Sequence, residues 1–388
     1  MITPTCGGPV LAPLAPDPDL GPGTYPDALA GTVLPARPSG GYSAPLAAAV
    51  PDERPKGDAD RALSAAARAR VADGFATATG RAYARDWSAF TAWCATHGRT
   101  PLPATAETLA EYVTHLAATP TRKGTLPAPS TVERALACIQ SRHKLAGTTA
   151  DARPARLALR AYRRQCADAG QRTRKAPPAE LEALRKMLDA TAPDTLAGLR
   201  DRAALVLGFA LMGRRSELAA LNIADVTLTP DGLEVFIGRS KTDQDAHGET
   251  VPLPYGSHAE TCPVRVVQAW TAALATYGVT SGPLLRGVDR HGRLTGTTGA
   301  AGKAVTRMSG HGLNLLVRRA AVRANLPNAE AFSAHSLRAG GATAAAKAGA
   351  PVSAIARHGR WSEKSPVVHG YIRTADKWRD NPMRGVGL

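Results

Sequence analysis

The hydrophobic period of this chain changes once. Over "DVTLTPDGLEVFIGRSKTDQDAHGETVPLP", which begins at Asp225, apolar and polar residues alternate with a period of two. On both sides of that stretch apolar residues recur every three or four. A period of two is a half-buried strand, and a period near 3.6 is a helix with one buried face. The chain is therefore expected to be mostly α, with one small antiparallel sheet. Strands are predicted over Val226–Thr229, Leu233–Arg239 and Thr250–Leu253, with Pro230-Asp231-Gly232 making the first turn.

Ahead of that sheet the pattern is helical. "TGRAYARDWSAFTAWCATHG" places Tyr83, Trp87, Phe90 and Trp93 on one apolar stripe, and "TAETLAEYVTHLAA" repeats it with Leu109, Tyr112, Val113 and Leu116. Thr105 and Glu107 suit a helix start, and Ser130 with Glu133 reads as a capping box. "PARLALRAYRRQCADAG" adds a further helix. An all-helical domain is expected over residues 61–168, with Arg134, Arg142, His143, Lys144, Arg163 and Arg164 facing outward. The basic, proline-ended "GQRTRKAPP" makes residues 169–178 a linker, and residues 179–388 form a second domain that opens with helices at 178–191 and 196–212. Residues 1–60 hold 12 of the 30 prolines and few large apolar side chains, and are expected to be a disordered tail.

Charge narrows the partner. The net is +16, but residues 1–60 carry 3 Lys/Arg against 7 Asp/Glu, so the excess lies in the rest. A folded region that basic suits a polyanion such as DNA or RNA. Five scattered cysteines, Cys6, Cys94, Cys138, Cys166 and Cys262, have no metal-ligand spacing and imply reduced thiols, with no zinc site. No apolar run approaches the roughly 20 residues a bilayer needs, and the N-terminus has no signal-peptide pattern. A soluble cytoplasmic protein, away from membranes, is expected.

Four places stand out from this background. Arg214 and Glu217 lie one turn apart after an apolar helix, and Lys241 follows a strand. His335 and Arg338 share a face of a small-residue helix, and Trp361 precedes Tyr371 by ten residues. Singly, each has an ordinary structural use as an ion pair, a solvated lysine, a cap or a core aromatic. Together they supply phosphodiester transfer without a metal. Two arginines can clamp the added negative charge of a phosphorane-like transition state. An imidazole can take a proton from an attacking hydroxyl, and a lysine can give one to the leaving oxygen. A tyrosine offers a nucleophile whose phenol is also a leaving group. No acidic metal cluster or Gly-rich nucleotide loop accompanies them, so no cofactor is expected.

This order of residues resembles the tyrosine recombinase (phage integrase) family over most of residues 70–388. "LMGRRSELAALNIADV" is similar to the family's first arginine box, with Arg214 as catalytic arginine and Glu217 as its acidic support. It has Met212 and Gly213 where a Gly-Leu pair is usual. "IGRSKT" matches the hairpin lysine, Lys241, and "HSLRAGG" the His-x-x-Arg box, His335 and Arg338. "GRWS" puts Trp361 where most members have histidine, as in the Cre-like subgroup; "VVHGYIR" carries the nucleophile, Tyr371. His358, three residues before Trp361, is the rival for that box.

The resemblance implies a SAM-like helical core-binding domain and an α-rich catalytic domain. DNA contacts would come from Ser130, Thr131, Arg134 and Arg142, from Arg174 and Lys175 of the linker, and from Arg239 beside the hairpin. It implies a site-specific DNA recombinase that works through a 3′-phosphotyrosyl link and a Holliday junction, without metal or ATP. The partner would be double-stranded DNA at an inverted-repeat core site, held by a homo-tetramer on two sites from a monomer or weak dimer in free solution. Trp378, Met383 and Leu388 near the C-terminus would anchor a neighbouring protomer. A type IB topoisomerase-like relaxing enzyme and a catalytically silent DNA-binding protein of the same fold are the alternatives.

Overall fold

The computed structural model describes residues 64–67, 70, 77–171, 176–238, 247–295, 307–376 and 381–386. The tail at 1–60, and Arg174, Lys175, Arg239, Lys241, Trp378 and Leu388, lie outside the described residues. The chain divides into two compact units, Met1–Thr108 with Arg134–Ala150, and Leu109–Glu133 with Asp151–Leu388.

In the first unit, helix α1 (Thr77–Thr96) carries the predicted aromatic stripe. Phe90 and Trp93 are buried, whereas Tyr83 and Trp87 are half-buried. The same helix buries a carboxylate, Asp86, and Arg134 answers it with two hydrogen bonds of 2.8 and 3.2 Å. Helix α2 (Ala106–Ala118), whose residues from Leu109 on belong to the second unit, starts as expected, the Thr105 hydroxyl accepting the Thr108 N–H at 3.2 Å. Helix α3 (Pro129–Leu145) begins one residue before Ser130, so Ser130 is not the cap. Pro129 takes the first helical position, where its missing N–H costs nothing, and Glu133 pairs with Arg163 at 2.8 Å within the second unit. His143 is not outward-facing. It is 1% exposed and accepts the Ala104 N–H at 2.8 Å, while Nδ1 faces the Ile139 carbonyl at 2.8 Å. A histidine that bridges two backbone groups is satisfied core, which helical spacing alone does not reveal.

In the second unit, helix α4 (Arg153–Asp168) buries Ala155, Leu159, Tyr162 and Cys166 at helical spacing. Helices α5 (Leu181–Asp189), α6 (Leu196–Ala210) and α7 (Arg215–Ala220) lead to the sheet. Strands β1 (Val226–Thr229), β2 (Gly232–Ile237) and β3 (Glu249–Pro254) form it in that order, all antiparallel. Leu233, Val235, Ile237, Val251 and Leu253 point into the core, and the opposite faces of these strands stay exposed. Helices α8 (Pro263–Thr276), α9 (Gly310–Arg323), α10 (Ala334–Lys347), α11 (Val352–Gly359) and α12 (Pro366–Asp376) complete it. The fold is thus mostly helical with one small antiparallel sheet, as the periodicity predicts. No helix among the described residues is long and apolar enough to cross a membrane.

Two central helices position the site. Helix α6 is buried on nearly every face, because Ala203, Ala204, Leu205, Val206 and Leu207 are all in the core. Helix α10 approaches its neighbours closely enough to need small residues. A Cβ on Gly340 would stand 1.9 Å from the Ala179 carbonyl oxygen. The Ser336 carbonyl accepts the Ala179 N–H at 2.8 Å in the same contact. The alanines and glycines of α10 exist to let backbones meet, and this fixes where His335 and Arg338 point.

Candidate active site

Helix α6 ends at Ala210, and two residues on Met212, with a φ of 46°, turns the chain sharply before Arg214. Arg214 then caps α7: its backbone N–H donates to Glu217 Oε2 at 2.8 Å, and its Nη1 donates to Oε1 at 2.6 Å. Glu217 is 3% exposed, and a buried carboxylate survives only when paired. Burial pushes its pKa up, but Arg360 and Arg214 together outweigh that and hold the carboxyl below its ordinary value.

Arg338 projects from α10 into the same region and is 2% exposed. Nη1 donates to the Met212 carbonyl, and Nη2 donates to the Gly359 carbonyl at 2.6 Å. Arg214 Nη2 donates to the next carbonyl along, that of Arg360, at 3.1 Å. Two arginines far apart in sequence are thus brought together on consecutive carbonyls at the end of α11. Burial, then the neighbouring Arg214, draws the Arg338 pKa down to about 9, which still leaves the guanidinium charged at neutral pH.

Trp361 lies over this guanidinium, with the Arg338 carbon 3.8 Å from the ring centroid. Such stacking holds the planar group in one orientation. A Cβ on Gly359 would fall 1.8 Å from the Trp361 ring, so glycine there leaves room for the indole. His358, the rival reading for this box, turns away: its Nε2 meets the Ala210 carbonyl at 2.7 Å.

Tyr371 comes from α12. Its ring centroid lies 5.6 Å from that of Trp361, and its hydroxyl 2.9 Å from His335 Nε2. Burial, aided by the Arg338 charge, pushes the His335 pKa down. The imidazole is therefore neutral near pH 7, and with its proton on Nδ1 it can accept the phenol O–H. Burial raises the Tyr371 pKa while Arg338 opposes it, so the phenol stays protonated until a base takes its proton.

The structure brings together Arg214, Glu217, His335, Arg338, Trp361 and Tyr371. Lys241 lies outside the described residues. Of the residues expected to contact DNA, Ser130 and Arg142 are exposed and Thr131 and Arg134 half-buried. Arg134 is engaged by Asp86, and the Arg142 guanidinium sits 5.9 Å over the Trp87 ring. Among the described residues, no group of three or more His, Cys, Asp or Glu side chains could hold a metal ion.

Sequence reasoning passes over Arg360. Its Nη2 donates to Glu217 Oε2 at 2.8 Å, and the residue is 5% exposed. The available signal was faint: a basic residue directly after Gly359, where α11 must end before Trp361.

Comparison with known proteins identifies the family. Residues 178–377 match the model of the phage integrase family. The chain is 35% identical over 326 residues to an integrase/recombinase xerD homolog of Selenomonas ruminantium, spanning 83% of this chain and 89% of that protein. It is 26% identical over 307 residues to recombinase cre of Escherichia phage P1, spanning 75% of this chain and 82% of that one. A lambda integrase structure solved bound to DNA aligns with a TM-score of 0.47 at 13% identity, over 81% of this chain and 95% of the other. From the family match and the Selenomonas relative, the chain belongs to the phage integrase family, the tyrosine site-specific recombinases.

Proposed function

We propose that this recombinase cuts and rejoins double-stranded DNA through a covalent link between Tyr371 and a 3′ phosphate. The observation that carries the reading is the 2.9 Å approach of the Tyr371 hydroxyl to His335 Nε2, beside the stacked Arg338–Trp361 pair. His335 takes the phenol proton as the Tyr371 oxygen bonds to phosphorus. The bond from phosphorus to the 5′ oxygen breaks, and Lys241 supplies the proton that oxygen needs. Arg214 and Arg338 stabilise the charge on the non-bridging oxygens. Trp361 holds Arg338 flat and adds its indole N–H. Charge and proton transfer are met by side chains, so the step as written uses neither metal nor nucleotide. Attack by a second 5′ hydroxyl reverses the step on a partner strand, through a Holliday junction held by four protomers on two inverted-repeat core sites.

The test uses nicked suicide duplexes tiled across the DNA flanking the gene. Wild type should give a denaturation-resistant protein–DNA adduct, and Tyr371→Phe should bind the same duplex and give none. An adduct that persists in the variant would remove Tyr371 from the role. Tight sequence-selective binding without any wild-type adduct would favour a silent DNA-binding protein instead.

A further inference from the structure

Helix α11 ends on a residue that its own backbone disfavours. Arg360 sits at φ 56° and ψ 47°. In this left-handed conformation a Cβ crowds the following carbonyl, and glycine is the usual occupant at a helix end. The side chain carries a second penalty, because the residue is 5% exposed and a buried charge must be paired. The contacts of Arg360 show what offsets both costs. Nη2 donates to Glu217 Oε2 at 2.8 Å and to the Leu211 carbonyl at 3.2 Å, and Nη1 donates to the His358 carbonyl at 2.9 Å. The Arg360 carbonyl in turn accepts Arg214 Nη2 at 3.1 Å. One residue therefore holds both members of the Arg214–Glu217 pair, the carboxylate by its side chain and the guanidinium by its main chain.

We infer that Arg360 is a positioning residue for DNA cleavage, which sets the aim of Arg214 and keeps Glu217 from neutralising it. The inference rests on the chemistry proposed at Tyr371. A carboxylate given only Arg214 would cancel that charge and leave little for a phosphate. With Oε2 engaged by Arg360, Glu217 answers two guanidiniums, and Arg338 adds a third cation nearby. The cluster then keeps an excess of positive charge, preorganised before the transition state forms. The depressed Arg338 pKa is consistent with this, since Arg214 and Arg360 both contribute to it after burial.

Arg360→Gly suits the left-handed backbone and removes only the side chain; Arg360→Lys keeps the charge without the fork. Full-length wild type and both variants would be compared on the suicide duplex that yields the wild-type adduct. Single-turnover rates at saturating enzyme, binding by mobility shift and thermal melting would be measured. Arg360→Gly should bind within about threefold of wild type yet form adduct about 10- to 100-fold more slowly, as misplacement of a catalytic group predicts. Low-millimolar guanidinium should restore part of that rate in Arg360→Gly and leave wild type unchanged, with Arg360→Lys between the two. Cleavage by Arg360→Gly at the wild-type rate would overturn the inference. So would losses in both variants that track a lower melting temperature and ignore added guanidinium, because those mark a residue of the fold alone. Absence of any Tyr371-dependent adduct from wild type would instead overturn the proposed function itself.

Discussion

At the scale of single residues, the site is a set of buried charges that constrain one another. Glu217 answers Arg214 and Arg360 at once, and removing one member of a desolvated group leaves the rest uncompensated. Glu217→Gln should therefore lower the unfolding free energy by about 3 kcal/mol in urea titrations near pH 7. A loss below about 1 kcal/mol would mean the pair is solvated like a surface ion pair. Under the proposed chemistry, His335 sets a pH dependence whose sign follows from its environment. Its pKa is held below the ordinary 6.5, so the neutral base is present at and above that pH. As pH falls through the depressed value, the imidazolium forms and can no longer accept the phenol proton. The second-order rate of adduct formation, which reports the free enzyme, should hold down to about pH 6.5 and drop only below it. A midpoint clearly above 6.5 would be incompatible with His335 as the base in this environment.

At the scale of elements, helix α10 shows how packing chooses composition. Its alanines and glycines looked featureless as a sequence because they serve close backbone contact rather than an apolar stripe. Gly340→Ala would press a methyl group into the Ala179 carbonyl, 1.9 Å away, where neither side can yield cheaply. Such overpacking should cost about 1–3 kcal/mol in chemical denaturation. It should also slow cleavage, since Arg338 lies on the same helix. A variant as stable as wild type would show that the helix can shift without consequence. Other elements were legible directly. The single change of period located all three strands within a residue or two of Val226–Thr229, Gly232–Ile237 and Glu249–Pro254. The aromatic stripe marked α1. Asp86 and His143, buried and each satisfied by one long-range partner, were not legible, because a polar residue's partner is a tertiary fact. The Ser130 cap failed because Pro129, ahead of it, already fits the first helical turn.

At the scale of the whole molecule, the net charge of +16 sets how DNA is held. Phosphate contacts release counterions, so log K should fall linearly with log salt at about −0.9 per contact. Between roughly 50 and 200 mM salt, that predicts a loss of about a thousandfold if six phosphates are engaged. Mobility-shift titrations at several salt concentrations would measure it, and a flat response would show that charge is not what binds the duplex.

The sequence by itself determined the helical class, the single sheet and the order of Arg214, Glu217, Lys241, His335, Arg338, Trp361 and Tyr371, since periodicity and motif order are properties of the chain read in line. Only the tertiary structure decided that Arg214 and Arg338 meet on the consecutive carbonyls of Gly359 and Arg360. It also decided that Trp361 rather than His358 faces the tyrosine, and that a third arginine supports the pair. Those outcomes depend on backbone carbonyls at the ends of α6 and α11. Every residue has such a carbonyl, so no side-chain pattern can announce which ones a buried guanidinium will choose.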